Sequence, residues 1–121
     1  MSIEKVNIRQ KLDSITDLWN PRIAGELNGQ YVKLVKFKGP FIWHKHDHED
    51  EMFLVVKGNF TMEMRDKNIE IKEGEFIIIP KGVEHKPVAQ EEVEVMLFEP
   101  VSTLNTGDKR TDITKDTLER I

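Results

Sequence analysis

The sequence contains no cysteine in its 121 residues. That excludes disulfides, thiolate catalysis and cysteine-based zinc sites together. The absence suits a reducing compartment, and a cytoplasmic protein is expected. No apolar run approaches the roughly 20 residues a helix needs to cross a bilayer. The first residues, Met1-Ser2-Ile3-Glu4-Lys5, lack the apolar core of a signal peptide, so no membrane association is expected. Serine is scarce. Ser2, Ser14 and Ser102 are the only ones, and none lies near a histidine in sequence, which argues against a serine nucleophile. Glycine-rich phosphate loops are missing. Basic residues form no cluster on a periodic face and the net charge is −4, so nucleic-acid binding is not expected.

What remains is the make-up of one small globular domain. A chain of this length forms a single core, and 38% apolar with 33% charged residues fits a packed interior under a polar surface. The whole of 1–121 is read as one domain with a barrel core over about 22–100. Asn7 can cap a short helix through Ser14, with Ile8, Leu12 and Ile15 near helical spacing. Asn20-Pro21 breaks what precedes it. From Arg22 the pattern turns to strands. Ile23–Leu27 and Tyr31–Lys38 flank Asn28-Gly29, a hairpin signal. Phe41–His48 alternates apolar and polar residues. Met52–Val56 is continuously apolar, and Phe60, Met62 and Met64 alternate before a turn at Asp66-Lys67-Asn68. Ile69–Lys72, Glu75–Ile79 and Val93–Phe98 complete the set. Short, evenly spaced strands of this kind predict an all-β sandwich or barrel. The tail from Ser102 is polar, with a loop at Asn105-Thr106-Gly107-Asp108.

All four histidines fall in two places. His44, His46 and His48 alternate within one run, with Glu51 just beyond, and His85 follows Pro80-Lys81-Gly82. Imidazole is the commonest side-chain ligand for transition metals. On a strand, alternate residues share a face, so 44 and 46 can grip one ion from the same side.

Two stretches resemble the signature motifs of the cupin superfamily. The first reads Gly39, four residues, His44-Lys45-His46, four residues, Glu51, six residues, Gly58. Its leading glycine is one residue closer to the histidine than the usual pattern. The second reads Gly74, five residues, Pro80-Lys81-Gly82, two residues, His85, with Ala89 where the family has asparagine. Pairing His46 with His48 instead would leave Glu51 only two residues on, a poorer match. The run Trp43-His44-Lys45-His46, then Asp50-Glu51-Met52-Phe53, is similar to small bacterial single-domain cupins, some described as mannose-6-phosphate isomerase-like. The resemblance implies a double-stranded β-helix with jelly-roll topology. It also implies one divalent transition metal in the barrel mouth, held by His44, His46, Glu51 and His85.

The residues support the same set on physical grounds. A turn through Glu49 and Asp50 can return Glu51 beside the histidine pair, and the turn at Gly82 lets His85 approach from a neighbouring strand. Three imidazoles and a carboxylate suit Fe, Mn, Ni, Co or Zn. His48, at the strand's end, reads as solvent-facing, and Glu49 and Asp50 as a solvated turn. Lys45 and Asp47 have outward parity. A homodimer is expected, since a small domain gains stability by burying more apolar surface. Phe41 and Trp43 share the outward parity, and two readings stand open for them: packing beneath the N-terminal strands, or the subunit interface. Met52, Phe53, Val55, Phe60, Met62, Met64, Phe76 and Ile78 are expected in the core. The expected function is that of a metal-dependent cupin acting on a small molecule, as an isomerase or oxygenase. A binding module without chemistry and a purely structural ion are the alternatives. The sequence does not decide whether it is an enzyme.

Overall fold

The computed structural model describes residues 2–121. Helix α1 (Ile8–Asp13) begins where Asn7 accepts a hydrogen bond from the Gln10 amide at 2.9 Å, an N-cap that satisfies an otherwise orphaned donor. Leu12 is buried under it against Ile15 and Leu34. Arg9 leaves the helix to form two bonds with the Glu94 carboxylate, at 2.7 and 2.5 Å, which fixes α1 to the sheet.

Seven strands follow: β1 (Arg22–Leu27), β2 (Gln30–Pro40), β3 (Glu51–Lys57), β4 (Asn59–Met64), β5 (Asn68–Lys72), β6 (Phe76–Ile79) and β7 (His85–Pro100). All named pairings are antiparallel. Asn28 and Gly29 have φ of 50° and 75°, the conformation that closes a two-residue hairpin with the twist of its strands. They join β1 to β2 as the sequence predicts.

β7 organises the rest. β2 runs along one side of it, from Gln30 opposite Pro100 to Pro40 opposite Val88. On its other side, residues 85–88 pair with β4 and residues 94–98 with β3. The change of partner falls at the exposed stretch 90–92. Gly58 makes the turn between β3 and β4 there with φ of 90°. A β-carbon at Gly58 would come within 3.2 Å of the Glu92 carbonyl, so the crossing leaves little room for one. β6 adds to β3 and β5 to β4. The result is an all-β jelly-roll barrel with a short N-terminal helix, the expected fold class. Its interior is filled by Phe37, Phe53, Val55, Phe60, Met62 and Val95, among others. Among the described residues, no helix is long and apolar enough to cross a membrane.

Three expectations change. Residues 41–48 are not a strand. After Pro40 the chain leaves the sheet, and a single bridge, His44 to His85, ties it back. Phe76 and Ile78 are not core; they are 60% and 54% exposed. They alternate along β6 with Ile77 and Ile79, which pack against the core, so they lie on the outer face of this strand. Finally, β7 begins at His85 rather than at Val93. Of the other expected core residues, Phe53, Val55, Phe60 and Met62 are buried, while Met52 and Met64 are half-buried.

Candidate metal centre

The two motif segments are sewn together through their backbones. The His44 amide donates to the His85 carbonyl at 3.1 Å, and the His85 amide to the His44 carbonyl at 2.9 Å. The Gly82 amide donates to the His46 carbonyl at 2.8 Å, and the Lys81 amide to Asp50 Oδ1 at 2.9 Å. Asp50 is exposed, as expected, and also latches the two motifs together. Glu49 likewise has a partner, accepting from the Ser102 hydroxyl at 2.8 Å.

This stitching gathers His44, His46, Glu51 and His85. All four are buried, and one ligand atom from each lies within 4.8 Å of the others. The convergence survives the loss of strand geometry because the bridge to β7 replaces the ladder. In His44 and His85, Nδ1 lies 2.9 Å from a carbonyl oxygen two residues earlier, that of Ile42 and of Val83. A carbonyl only accepts, so Nδ1 carries the proton and Nε2 presents its lone pair, the form in which imidazole binds a metal. Glu51 Oε1 lies 3.2 Å from His46 Nε2 and 3.3 Å from His85 Nε2.

Those contacts lack hydrogen-bond alignment. His46 Nε2, His46 Nδ1, His85 Nε2 and Glu51 Oε1 are buried and without a partner. Buried polar atoms normally find one. Several such orphans facing one another fit a cation between them, and this borderline donor set suits a divalent transition ion. The cluster could hold a metal ion.

The electrostatics agree with that arrangement. Burial, then the neighbouring His85, depresses His44 from its ordinary 6.5 to about 4, keeping it neutral. Burial also pulls on His46, but the Glu51 carboxylate outweighs it and raises His46 above its ordinary value. Burial works against the charge on Glu51, yet His46 and His85 hold its carboxyl well below the usual carboxylate range.

A narrow cavity of about 50 Å³ opens beside the cluster, with His44 and Glu51 in its wall. Its apolar lining includes Phe37, Phe53 and a stack led by Trp19, whose ring lies 4.5 Å from Phe37 and 4.9 Å from Phe41. Trp19 has φ of 59°, unusual for a bulky residue. It is pinned there by its indole N–H, which donates to the Lys38 carbonyl at 2.9 Å. Phe41 therefore faces inward onto an N-terminal residue, which corrects its outward parity. Trp43 is half-buried, with the Arg65 guanidinium 3.8 Å above its ring. The parity argument fails for Phe41 because it presumed a strand. His48 is exposed, as expected.

Two further cavity residues, Lys33 and Glu99, went unnoticed in the sequence. They are 2% exposed each, and Lys33 Nζ lies 3.1 Å from Glu99 Oε1. Burial and the negative charge of Glu51 drive the Glu99 carboxyl well above its ordinary range, against the pull of Lys33. Their nearest signal is the break they make in otherwise apolar strand faces. The polar loop at 105–108 also reaches the site. The Asp108 amide donates to the Lys45 carbonyl and Asp108 Oδ1 accepts from the Lys45 amide, both at 2.9 Å.

Residues 34–101 match the model of a family described as "Cupin domain". A cupin-2 domain containing protein from Shewanella frigidimarina is 44% identical, with a TM-score of 0.78 over 78% of this chain and 93% of that one. Protein NMB1881 from Neisseria meningitidis is 32% identical, with a TM-score of 0.74 over 80% of this chain and 99% of that one. The uncharacterized protein YdbB of Bacillus subtilis is 36% identical over 62 residues, 50% of this chain. The chain spans 55% of the length of that curated relative.

Proposed function

The chain belongs to the cupin domain family, and from that premise we propose that it is a metal-dependent enzyme for a small oxygen-bearing molecule, working as an isomerase or oxygenase. His44, His46, Glu51 and His85 hold one divalent ion of the Fe, Mn, Ni, Co or Zn group. The observation that carries the reading is that His44 and Glu51 form part of the cavity wall. An ion gripped there lies within reach of a ligand, whereas a purely structural ion needs no adjoining space. When bound, the ion supplies Lewis acidity, polarising a ligand oxygen.

The protein's own groups do the rest. The carbonyls of Ile42 and Val83 fix the tautomers of His44 and His85, so neither ring has to reorganise. The Glu51 carboxylate offsets positive charge in a low-dielectric site. Trp19, Phe41 and Phe53 give the cavity an apolar wall that limits water, which strengthens polar interactions inside.

The test is metal analysis followed by turnover. Protein purified without chelator should carry close to one divalent ion per chain, and metal-loaded protein should convert some member of a small-metabolite panel. Failure to retain any ion in metal-supplemented buffer would overturn the reading. Ligand binding without conversion, with several metals and with oxygen present, would establish the binding-module alternative instead.

A further inference from the structure

Lys33 and Glu99 are an expensive pair to bury. They sit on neighbouring strands, β2 and β7, in diagonal register: Lys33 faces Leu97, two residues before Glu99. That places both long side chains on the inner face. Replacing a buried ion pair by apolar residues of similar volume is often neutral or stabilising, so packing alone does not account for it. Lys33 also engages only one carboxylate oxygen. Glu99 Oε2 is buried and has no partner. The Asn105 amide, also in the wall, is already committed: its Nδ2 donates to the Ile113 carbonyl and its Oδ1 accepts from the Lys115 amide. Glu99 Oε2 is therefore the unsatisfied hydrogen-bonding atom of the cavity wall, on a carboxyl group that adjoins Glu51.

We infer that Glu99, oriented by Lys33, is a specificity-determining residue that hydrogen-bonds a hydroxyl group of the ligand, and that the ligand class is the small 2-hydroxy carboxylates. This rests on the metal reading above. A hydroxyl both donates and accepts, so it can meet the Glu99 carboxyl whichever protonation state that group holds. Glu51 and Glu99 share a cavity of only about 50 Å³, so the oxygen directed to the metal cluster and the hydroxyl on Glu99 must be a few bonds apart. With a divalent ion in place, the ion and Lys33 outweigh Glu51 and Glu99 in charge. A monoanionic carboxylate reduces that excess, as a buried site requires.

Calorimetric titration of zinc-loaded protein with glycolate and acetate tests this without turnover. Wild-type protein should prefer glycolate. The double variant Lys33→Met/Glu99→Leu keeps the volume of the pair and should lose about tenfold of that preference, the scale of a hydrogen bond to a charged group. Glu99→Gln should retain most of it. Methoxyacetate keeps the second oxygen but has no hydroxyl proton, and should bind wild-type protein about tenfold more weakly than glycolate. This arm needs no variant to fold. An unchanged glycolate-to-acetate ratio in the double variant at full zinc content, or equal binding of glycolate and methoxyacetate, overturns the inference alone. Wild-type protein that takes up no zinc overturns the metal reading beneath it.

Discussion

Gly107 packs against the backbone carbonyl of Lys45 with no room for a side chain. A β-carbon at 107 would overlap the Lys45 oxygen and lie 3.1 Å from Cδ2 of His44. Gly107 also has φ of 57°. Lys45 is the residue between two proposed ligands, so the C-terminal loop presses on the site itself. Gly107→Ala should displace the loop and weaken metal binding by about tenfold or more, the scale seen when groups supporting metal ligands are lost. Gly39→Ala is the control: φ there is 83°, but nothing lies within 4 Å of the added carbon. It should cost about 1–2 kcal/mol of backbone strain and leave metal affinity alone. Chelator competition on both variants decides the matter, and equal affinity in the two would refute the contact's importance.

His46→Ala should abolish or severely reduce metal retention, whereas His48→Ala should leave it near wild type. The two residues share sequence parity, but His46 is buried in the cluster and His48 is exposed. Metal content of the two purified variants is the measurement. Comparable losses would show that the ligand set has been assigned wrongly.

Acidification should act on both affinity and stability. Ligation needs neutral imidazole. His44 is held neutral down to about pH 4, while His46 is raised and keeps its proton longer. Metal uptake should therefore release a proton from His46, and affinity should fall as the pH drops through and below the raised value of His46. For the metal-free protein the signs differ by residue. The lowered pKa of His44 means that the unfolded chain binds more protons between 4 and 6.5. Its contribution, at most about 3 kcal/mol, is complete above 6.5 and lost as the pH falls through that window. Glu51, also lowered, adds stability that disappears on further acidification below its ordinary 4.5. His46 runs the other way, contributing below its ordinary 6.5 and losing that contribution as pH rises through its raised value. Glu99, raised, gains stability as the pH falls towards its ordinary 4.5 and so offsets His44 above that pH. Urea denaturation should therefore show the net loss below about pH 4.5, where Glu51 and His44 act together; a flat profile there would contradict it.

Trp19→Ala should destabilise the fold by about 2–4 kcal/mol, because it removes a ring from a packed aromatic stack. Trp19→Phe should cost less, since it loses the bond to the Lys38 carbonyl but keeps stacking with Phe37 and Phe41. Denaturant midpoints measure both. Neither change touches a proposed metal ligand, so metal content should hold while the cavity widens.

Local signals were readable where the cause is local. The Asn7 cap, the Asn28-Gly29 hairpin and most strands follow from nearby residues and side-chain period. The four-residue cluster was legible because spacing within two short motifs determines it. What escaped depends on contacts distant in sequence. The outward parity assigned to Phe41 failed because the bridge from His44 to β7 replaces a continuous strand. Phe76 and Ile78 look like core residues until the packing of β6 turns Ile77 and Ile79 inward instead. Lys33 and Glu99 meet only through a register between strands some sixty residues apart, and Gly107 reaches Lys45 over a similar distance. No periodicity within a segment encodes such meetings.

The reach of β7 also sets a schedule for the chain as it is made. β2, β3 and β4 all bond to β7, which leaves a ribosome after the six other strands. Until residues 85–100 emerge, β2 has only β1 beside it, β3 has only β6, and β4 has only β5. Topologies built on such distant pairings fold slowly, and their exposed strand edges invite aggregation while they wait. The nascent protein thus carries three strand pairs with open edges, and one late segment joins them into a barrel.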